Sequence, residues 1–307
     1  MPTAKRTTLI ADACLVLVAV IWGSGFAATQ YAIDSNMSPL LLNAIRMLVA
    51  TAALGLLFWR DVRAMKKSDL KYGAAAGVLL FLAFFTQTTG LSLTTPSNNA
   101  FITATNVVMV PFLSWIFLKK RPKNRVFALA VLCIAGTALL SYTAGQGFRF
   151  NLGDLLTLLC AALFAGHIAF LELATRHTDA RLLSFLQMAV AAVLSCAALL
   201  AFDFPAIAVA DYGRGLPALI YLGVFSTGLC FFLQTYAQRH TSGPKAAVIL
   251  SMEGLFGCVF SVALGMEPVR WNMVAGGLII LTSVVLTEVD FGRKKAAPAP
   301  EGERAAP

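Results

Sequence analysis

The chain has 307 residues, of which 58% are hydrophobic and only 13% are charged. A soluble domain carries about 25% charged residues, so this composition excludes an ordinary water-facing surface and places the apolar excess in lipid. The net charge of +9 does not indicate a nucleic-acid-binding protein, because the Lys and Arg residues lie in short segments between apolar runs and not on one soluble face.

Ten apolar runs approach the roughly 20 residues that a helix needs to cross a bilayer. The first is too long for the apolar core of a signal peptide, so we expect it to be retained. Pro96 breaks the helical pattern between the third and fourth runs. We predict an all-α integral membrane protein with ten transmembrane helices, called predicted helices 1 to 10: residues 9–31, 39–59, 72–91, 97–118, 126–143, 153–174, 182–202, 216–236, 244–264 and 271–288.

The basic residues alternate between the two sides of these predicted helices. Of the 24 Lys and Arg residues, 20 lie on the side of the N-terminus and three on the opposite side (Arg149, Arg214 and Arg270), while Arg46 lies within predicted helix 2. Basic residues are enriched on the cytoplasmic side, so both termini are predicted to be cytoplasmic, in a cell inner (plasma) membrane. The basic segment 289–307 is predicted to be a disordered cytoplasmic tail.

An internal repeat relates the two halves of the chain, residues 9–143 and 153–288. FFTQT at residues 84–88 matches FFLQT at residues 231–235 after a shift of 147, and a shift of 142 places Asp12 on Asp154. A unit of five helices must insert the second time from the opposite side, which predicts two inverted repeats as in many secondary transporters. The alternative is a chance similarity between apolar stretches.

Two Asp, Glu, Lys or Arg residues lie well away from the ends of predicted helices, and a charge at the bilayer centre costs about 2.5–3.5 kcal/mol on insertion scales. Glu253 lies near the middle of predicted helix 9, and its repeat partner is Asn106. It is either a protonated carboxyl bonded between helices or a group that exchanges a proton or meets a cationic part of a substrate. Arg46 is expected to face a wet cavity or a carboxylate such as Glu253; the alternative is that it reaches the outer headgroups.

Further polar residues recur along the predicted helices. Asn99, Thr103 and Asn106 follow a spacing of i, i+4, i+7, which predicts a polar stripe facing a cavity or an interhelical seam. Trp22, Ser24 and His167 lie at mid-membrane depth and are also candidates, although a single buried His is more often a hydrogen-bonded core residue.

Polar residues near helix ends have simpler interpretations. Gln87, Gln234 and Glu172 are predicted to be interfacial. Asp12 and Asp154 are each predicted to begin a helix, where a carboxylate suits the positive end of the helix dipole.

Motifs for enzymatic chemistry are missing from the sequence. No HExxH zinc motif, phosphate-binding loop or GxSxG elbow is present. The six cysteines lie in apolar runs without metal-ligand spacing. We therefore expect no enzyme, cofactor, bound metal or disulfide.

The order of several short motifs resembles the drug/metabolite transporter superfamily of the EamA type. They are IWGSGF at residues 21–26, Arg46 after Ser38 and Pro39, GL at residues 90–91 with TTPSNNA at 94–100, LKKRP at 118–122, SME at 251–253 and LGMEP at 264–268. The chain departs from the pattern at Gly254, where many relatives carry a proline that bends the helix.

The resemblance implies a ten-helix carrier for a small-molecule substrate, with predicted helices 1–4 and 6–9 around a central cavity and 5 and 10 outside it. It implies export of an amino acid or related metabolite by alternating access, by a monomer or homodimer, with a coupled proton as one option. It places Trp22, Arg46, Asn106, His167 and Glu253 in the cavity. A passive channel of the same fold and a non-transporting membrane receptor or assembly subunit remain alternatives.

Overall fold

The computed structural model describes residues 2–119, 121, 124–140, 142–143, 147–148 and 151–288. Helices dominate these residues, with one antiparallel pair of two-residue strands, β1 (Tyr142–Thr143) and β2 (Gly147–Phe148). The predicted tail 289–307 and Arg149 lie outside the described residues. The helices are α1 (Pro2–Asp34), α2 (Pro39–Leu57), α3 (Trp59–Arg63), α4 (Lys67–Leu91), α5 (Pro96–Ala104), α6 (Asn106–Leu118), α7 (Asn124–Leu140), α8 (Leu152–Ala174), α9 (Ala180–Phe202), α10 (Ala206–Val209), α11 (Tyr212–Ile220), a π-helical segment (Tyr221–Leu229), α12 (Cys230–Gln238), α13 (Gly243–Leu250), α14 (Met252–Ala263) and α15 (Trp271–Glu288).

Eight helical segments within the described residues are long and apolar enough to cross a membrane, and they coincide with predicted helices 1–4 and 6–9. Predicted helices 5 and 10 correspond to two shorter apolar helices, Ala128–Leu140 and Trp271–Ser283. The boundary predicted at residue 143 is wrong, because α7 ends at Leu140 and residues 142–143 form β1. The molecule is a helical membrane protein.

Side-chain caps explain the short connections between helices. Ser38, Thr95 and Ser242 each accept a hydrogen bond from the first turn of the helix that follows, and each is followed within two residues by a proline. A hydroxyl cap satisfies a free backbone N–H, and proline fits the first turn because no hydrogen bond is lost there. The chain therefore reverses between α4 and α5 within residues 92–95.

Predicted helices 4 and 9 are each broken near the middle. The breaks fall at Thr105 (φ −64°, ψ −11°) and Ser251 (φ −63°, ψ −13°), where ψ departs from the helical value of about −42°. Each hydroxyl donates to the carbonyl three residues earlier, at 2.6 Å, and such bonds compete with the helical ladder. Predicted helix 9 is thus interrupted although residue 254 is a glycine and not a proline.

Glycines bring the helices into close contact. A Cβ on Gly77 would lie 2.6 Å from the Cβ of Val190, and one on Gly257 would lie 2.5 Å from the Cβ of Ala100. These contacts join α4 to α9 and α14 to α5, so that the broken helices pack against each other and against α1.

Ion pairs gather at the end of the molecule that holds the α9 and α13 N-termini. Asp12 does not begin a helix as predicted, because α1 begins at Pro2; its carboxylate instead pairs with Lys245 of α13 at 2.7 Å. Asp154 does lie in the first turn of α8 and accepts a hydrogen bond from Thr94 Oγ1 at 2.7 Å. The first contact is ionic, whereas the second joins a carboxylate to a hydroxyl.

Candidate functional site

A cavity lies between the broken helices and their neighbours. Its walls come from α1, α2, α4, α5, α6, α8, the π-helical segment, α12 and α14. The expected arrangement around predicted helices 1–4 and 6–9 therefore needs one correction, because α9 (predicted helix 7) supplies none of the described lining residues. These are Trp22, Gly25, Phe26, Thr29, Arg46, Phe84, Gln87, Thr88, Leu91, Asn99, Asn106, Phe164, Ile168, Ser226, Phe231, Gln234 and Glu253.

Five of the eight candidate residues from the sequence lie together in this lining: Trp22, Arg46, Asn99, Asn106 and Glu253. They come from five different helices and from both halves of the chain. The cavity therefore joins side chains that are as far apart in sequence as Trp22 and Glu253.

The other three candidates lie behind the cavity wall and bond to protein neighbours. Ser24 bonds to the Tyr221 hydroxyl, and Thr103 accepts a hydrogen bond from Gln87 at 3.4 Å. His167, which is fully buried, donates from Nε2 to Gln187 Oε1 at 2.8 Å. Its neighbour Gly166 does not mark a close approach, because a Cβ there would find its nearest atoms only at 3.9 Å.

Arg46 is buried in the cavity wall, with 3% of its surface exposed. Its Nε donates to Thr227 Oγ1 at 3.0 Å, and its guanidinium carbon lies 4.3 Å from the centre of the Phe84 ring. The pairing with Glu253 that the sequence suggested is not formed, and no carboxylate of the described residues lies within 4.0 Å of Arg46. Both terminal nitrogens are without a hydrogen bond to a described residue, so they are free to bind an oxyanion in a bidentate manner.

Glu253 lies two residues after the break at Ser251, with 5% of its surface exposed. Its carboxyl group makes no hydrogen bond to any described residue. Gly254 allows α14 to approach α5 closely, since a Cβ there would lie 3.0 Å from the Cβ of Ala104. Glu253 and Asn106, which follows the other break, both line the cavity.

The Asn99 amide is fixed by two bonds that leave its oxygen free. Its Nδ2 donates to Thr157 Oγ1 at 2.7 Å and to the Gln87 carbonyl at 3.2 Å, while its buried Oδ1 has no partner among the described residues. The Oδ1 of Asn106 and the Oε1 of Gln234 are likewise buried without a partner there. Buried polar atoms without partners are costly, so these acceptors suit a ligand that carries N–H or O–H groups.

Aromatic rings form the apolar part of the wall. The Phe231 ring centre lies 4.9 Å from that of Trp22 and 5.7 Å from that of Phe84, which in turn lies 5.4 Å from that of Phe164. The Trp22 indole N–H donates to the Ser226 carbonyl at 2.7 Å, which fixes the plane of the ring. The cavity is therefore amphipathic, with an aromatic wall and a polar wall.

Sequence reasoning missed several lining residues. Gln87 and Gln234 were predicted to be interfacial, and that prediction is wrong because both line the cavity. The repeat contained the signal: Phe84 matches Phe231 and Gln87 matches Gln234 in the FFTQT and FFLQT segments, and all four line the cavity.

Comparison with known proteins identifies the family. A model of the EamA-like transporter family matches residues 9–142 and 151–289. The chain belongs to the EamA-like transporter family. An uncharacterized transporter of Archaeoglobus fulgidus is 34% identical over 92% of this chain and 86% of its own length. The uncharacterized transporter YwfM of Bacillus subtilis is 27% identical over 93% of this chain and 96% of its own length.

The fold has a solved counterpart as well. A crystal structure superposes with a TM-score of 0.67 over 92% of this chain and 96% of that one, at 18% identity. The resemblance to this family is confirmed, and the EamA-like protein is a multi-pass membrane transporter in contact with the lipid bilayer. Membership of a transporter family indicates a small-molecule substrate.

Proposed function

We propose that this chain is a secondary transporter that exports amino acids with apolar side chains, or closely related metabolites, by alternating access. One observation carries the proposal: an unpaired guanidinium and an unbonded carboxyl group face one cavity beside an aromatic wall. A buried charge without a partner is costly, and a ligand of opposite charge supplies the missing partner. A zwitterion with an apolar side chain satisfies all three features at once.

Each part of such a substrate has a counterpart in the lining. Arg46 binds the carboxylate through its two terminal nitrogens, and Trp22 and Phe231 contact the apolar side chain. Glu253 holds the ammonium group in one step and a coupling proton in another, so that the two compete for one carboxylate. The free oxygens of Asn99 and Asn106 accept the remaining N–H groups. Ser24, Thr103 and His167 support the cavity from behind its wall.

The proposed topology has ten crossings in two inverted five-helix repeats, residues 9–143 and 153–288, with both termini cytoplasmic in an inner membrane. It is supported by the two ranges that the family model matches and by helix breaks at comparable places, Thr105 and Ser251. The short helices α7 and α15 make the fifth and tenth crossings. A monomer contains the whole cavity, and a homodimer would leave it intact.

Flux measurements in proteoliposomes test the transport proposal. We expect saturable uptake and counterflow of radiolabelled leucine or phenylalanine, accelerated by an imposed pH gradient. The Glu253→Gln variant is expected to lose the acceleration and to exchange leucine with a raised KM, because the ammonium group loses its carboxylate, whereas Glu172→Gln, outside the cavity, changes neither. An unchanged pH response in folded Glu253→Gln removes the proton role. Flux without saturation or counterflow favours a passive channel, and tight partner binding without flux favours a receptor.

Single cysteines test the topology. Met65, between α3 and α4, and Leu93, between α4 and α5, are 37% and 49% exposed. In a variant without native cysteines, a membrane-impermeant maleimide should label Met65→Cys only from the cytoplasm and Leu93→Cys only from outside. Labelling of both from one side would contradict the proposed crossings.

A further inference from the structure

The π-helical segment Tyr221–Leu229 packs closely on α2. Its hydrogen bonds run from residue i to i+5, which widens the helix, and π-helical turns often occur at functional sites. A Cβ on Gly223 would lie 2.7 Å from the Cβ of Val49, and one on Gly228 would lie 3.7 Å from the Cα of Ala50. Glycine at position 223 allows the segment to lie against the helix that carries Arg46, whereas the contact at Gly228 is an ordinary van der Waals distance.

The same segment contacts two side chains that line the cavity from the first half of the chain. The carbonyl of Ser226 accepts the indole N–H of Trp22 at 2.7 Å. The hydroxyl of the next residue, Thr227, accepts Nε–H of Arg46 at 3.0 Å. Ser226 and Thr227 thus fix the orientations of the Trp22 ring and of the Arg46 guanidinium. These are two of the groups that we propose contact the substrate.

We infer that the π-helical segment positions the substrate-binding side chains, and that Thr227 is the positioning residue for Arg46. Thr227 is fully buried and does not line the cavity, so it acts through Arg46 and not on a ligand. Its hydroxyl is the one hydrogen-bond acceptor for Arg46 among the described residues. This inference rests on the proposed function.

The geometry explains why Arg46 needs a hydrogen bond at Nε to fix its orientation. Arg46 has a long side chain with many rotamers, and contact with the Phe84 ring does not fix rotation of the guanidinium in its own plane. A bond at Nε restricts that rotation and leaves both terminal nitrogens without a hydrogen bond to a described residue. Loss of the hydroxyl should therefore reduce discrimination for carboxylates without disturbing the cavity walls.

The test compares Thr227→Val, which keeps the side-chain shape but lacks the hydroxyl, with Thr227→Ser. For leucine we expect Thr227→Val to raise KM about tenfold, the equivalent of one hydrogen bond to a charged group, with kcat changed less than about twofold. The preference for leucine over leucinamide should fall by a similar factor. Thr227→Ser should restore both values. Thr51→Val is the control, because the Thr51 hydroxyl bonds only to its own helix, at the Met47 carbonyl.

A second measurement does not depend on the substrate. Arg46→Lys lacks Nε, so the thermal shifts of Arg46→Lys and Thr227→Val should be non-additive in a double-mutant cycle in detergent. If the wild type does not transport leucine but the shifts are non-additive, the proposed function is refuted and the contact between Arg46 and Thr227 is supported. Additive shifts, or a folded Thr227→Val variant with unchanged KM and unchanged leucine preference, would overturn the inference.

Discussion

Arg46 and Glu253 line the same cavity and yet do not form an ion pair. The insertion cost of each charge, about 2.5–3.5 kcal/mol near the bilayer centre, is therefore not offset by the other residue. This separation leaves both groups able to bind ligands of opposite charge at two points of one substrate.

Replacement of Arg46 by Met should abolish amino acid transport without loss of stability. The guanidinium is buried without a carboxylate partner, so its removal relieves a desolvation cost. We expect the Tm in detergent to stay equal to or rise above that of the wild type, while counterflow of leucine is lost. Arg214→Met, which changes an exposed Arg, should leave counterflow unchanged. A large fall in Tm for Arg46→Met would instead indicate a structural role.

Two neighbouring phenylalanines should respond differently to truncation. Phe231 is fully buried at the centre of the aromatic wall, whereas Phe232 is partly exposed and packs on Phe58. Phe231→Ala should cost about 3–5 kcal/mol in the free energy of unfolding, the usual range for a buried ring, and Phe232→Ala clearly less. Reversible unfolding in mixed micelles measures both values. Equal decreases in the free energy of unfolding for the two variants would contradict a central packing role for Phe231.

Gly77→Ala should destabilise the packing of α4 on α9. The new methyl group would lie 2.8 Å from the Gln187 carbonyl oxygen, which belongs to the backbone and cannot turn aside. Gly166→Ala is a matched control within a helix, because its methyl group would meet only Leu113 and Leu79 at 3.9 Å. We expect a lower Tm for Gly77→Ala and an equal or higher Tm for Gly166→Ala, measured by thermal unfolding in detergent. The opposite order would contradict the helix contact.

The ion pairs around Asp179 should stabilise the protein in a pH-dependent way. Burial alone raises the pKa of Asp179, but hydrogen bonds and charge from Arg181 and a hydrogen bond from Arg239 outweigh it and lower the pKa below its ordinary value. A carboxyl with a lowered pKa stabilises the fold above its unfolded pKa of about 3.9 and loses that contribution as the pH falls through the folded pKa.

The Tm difference between the wild type and Asp179→Asn should therefore be present at pH 7 and shrink below about pH 4. Asp203→Asn is the control, because Asp203 makes no ion pair with any described residue. A difference that is constant from pH 7 to pH 3 would show that Asp179 acts only as the α9 cap.

The sequence predicted the helical segments well because composition and length decide what a bilayer accepts. It also placed Arg46 and Glu253 in a shared cavity, since a charge in hydrocarbon needs a polar surrounding. Sequence could not predict that the two would stay apart, because their separation depends on how α2 and α14 pack on their neighbours.

Three further features of the fold could not be predicted from the sequence, because they depend on local hydrogen bonds and on packing. Nothing in the sequence predicts a π-helical segment at Tyr221–Leu229, because the wide turn depends on contact with α2. The bends at Thr105 and Ser251 depend on hydroxyls that bond backward, and residues of this type are common in straight helices. Asp12 is predicted at a helix start because the apolar run begins at residue 9, whereas α1 begins at Pro2.

The helices α7 and α15 pack on each other outside the cavity. Among the described residues, neither helix supplies a side chain to the cavity, and a Cβ on Gly136 of α7 would lie 3.0 Å from the Gly276 carbonyl of α15. Mutations in this pair are felt through packing alone, so libraries randomised there can improve expression while the cargo stays the same. Under the proposed function, substitutions that change the transported substrate are expected in the helices that line the cavity.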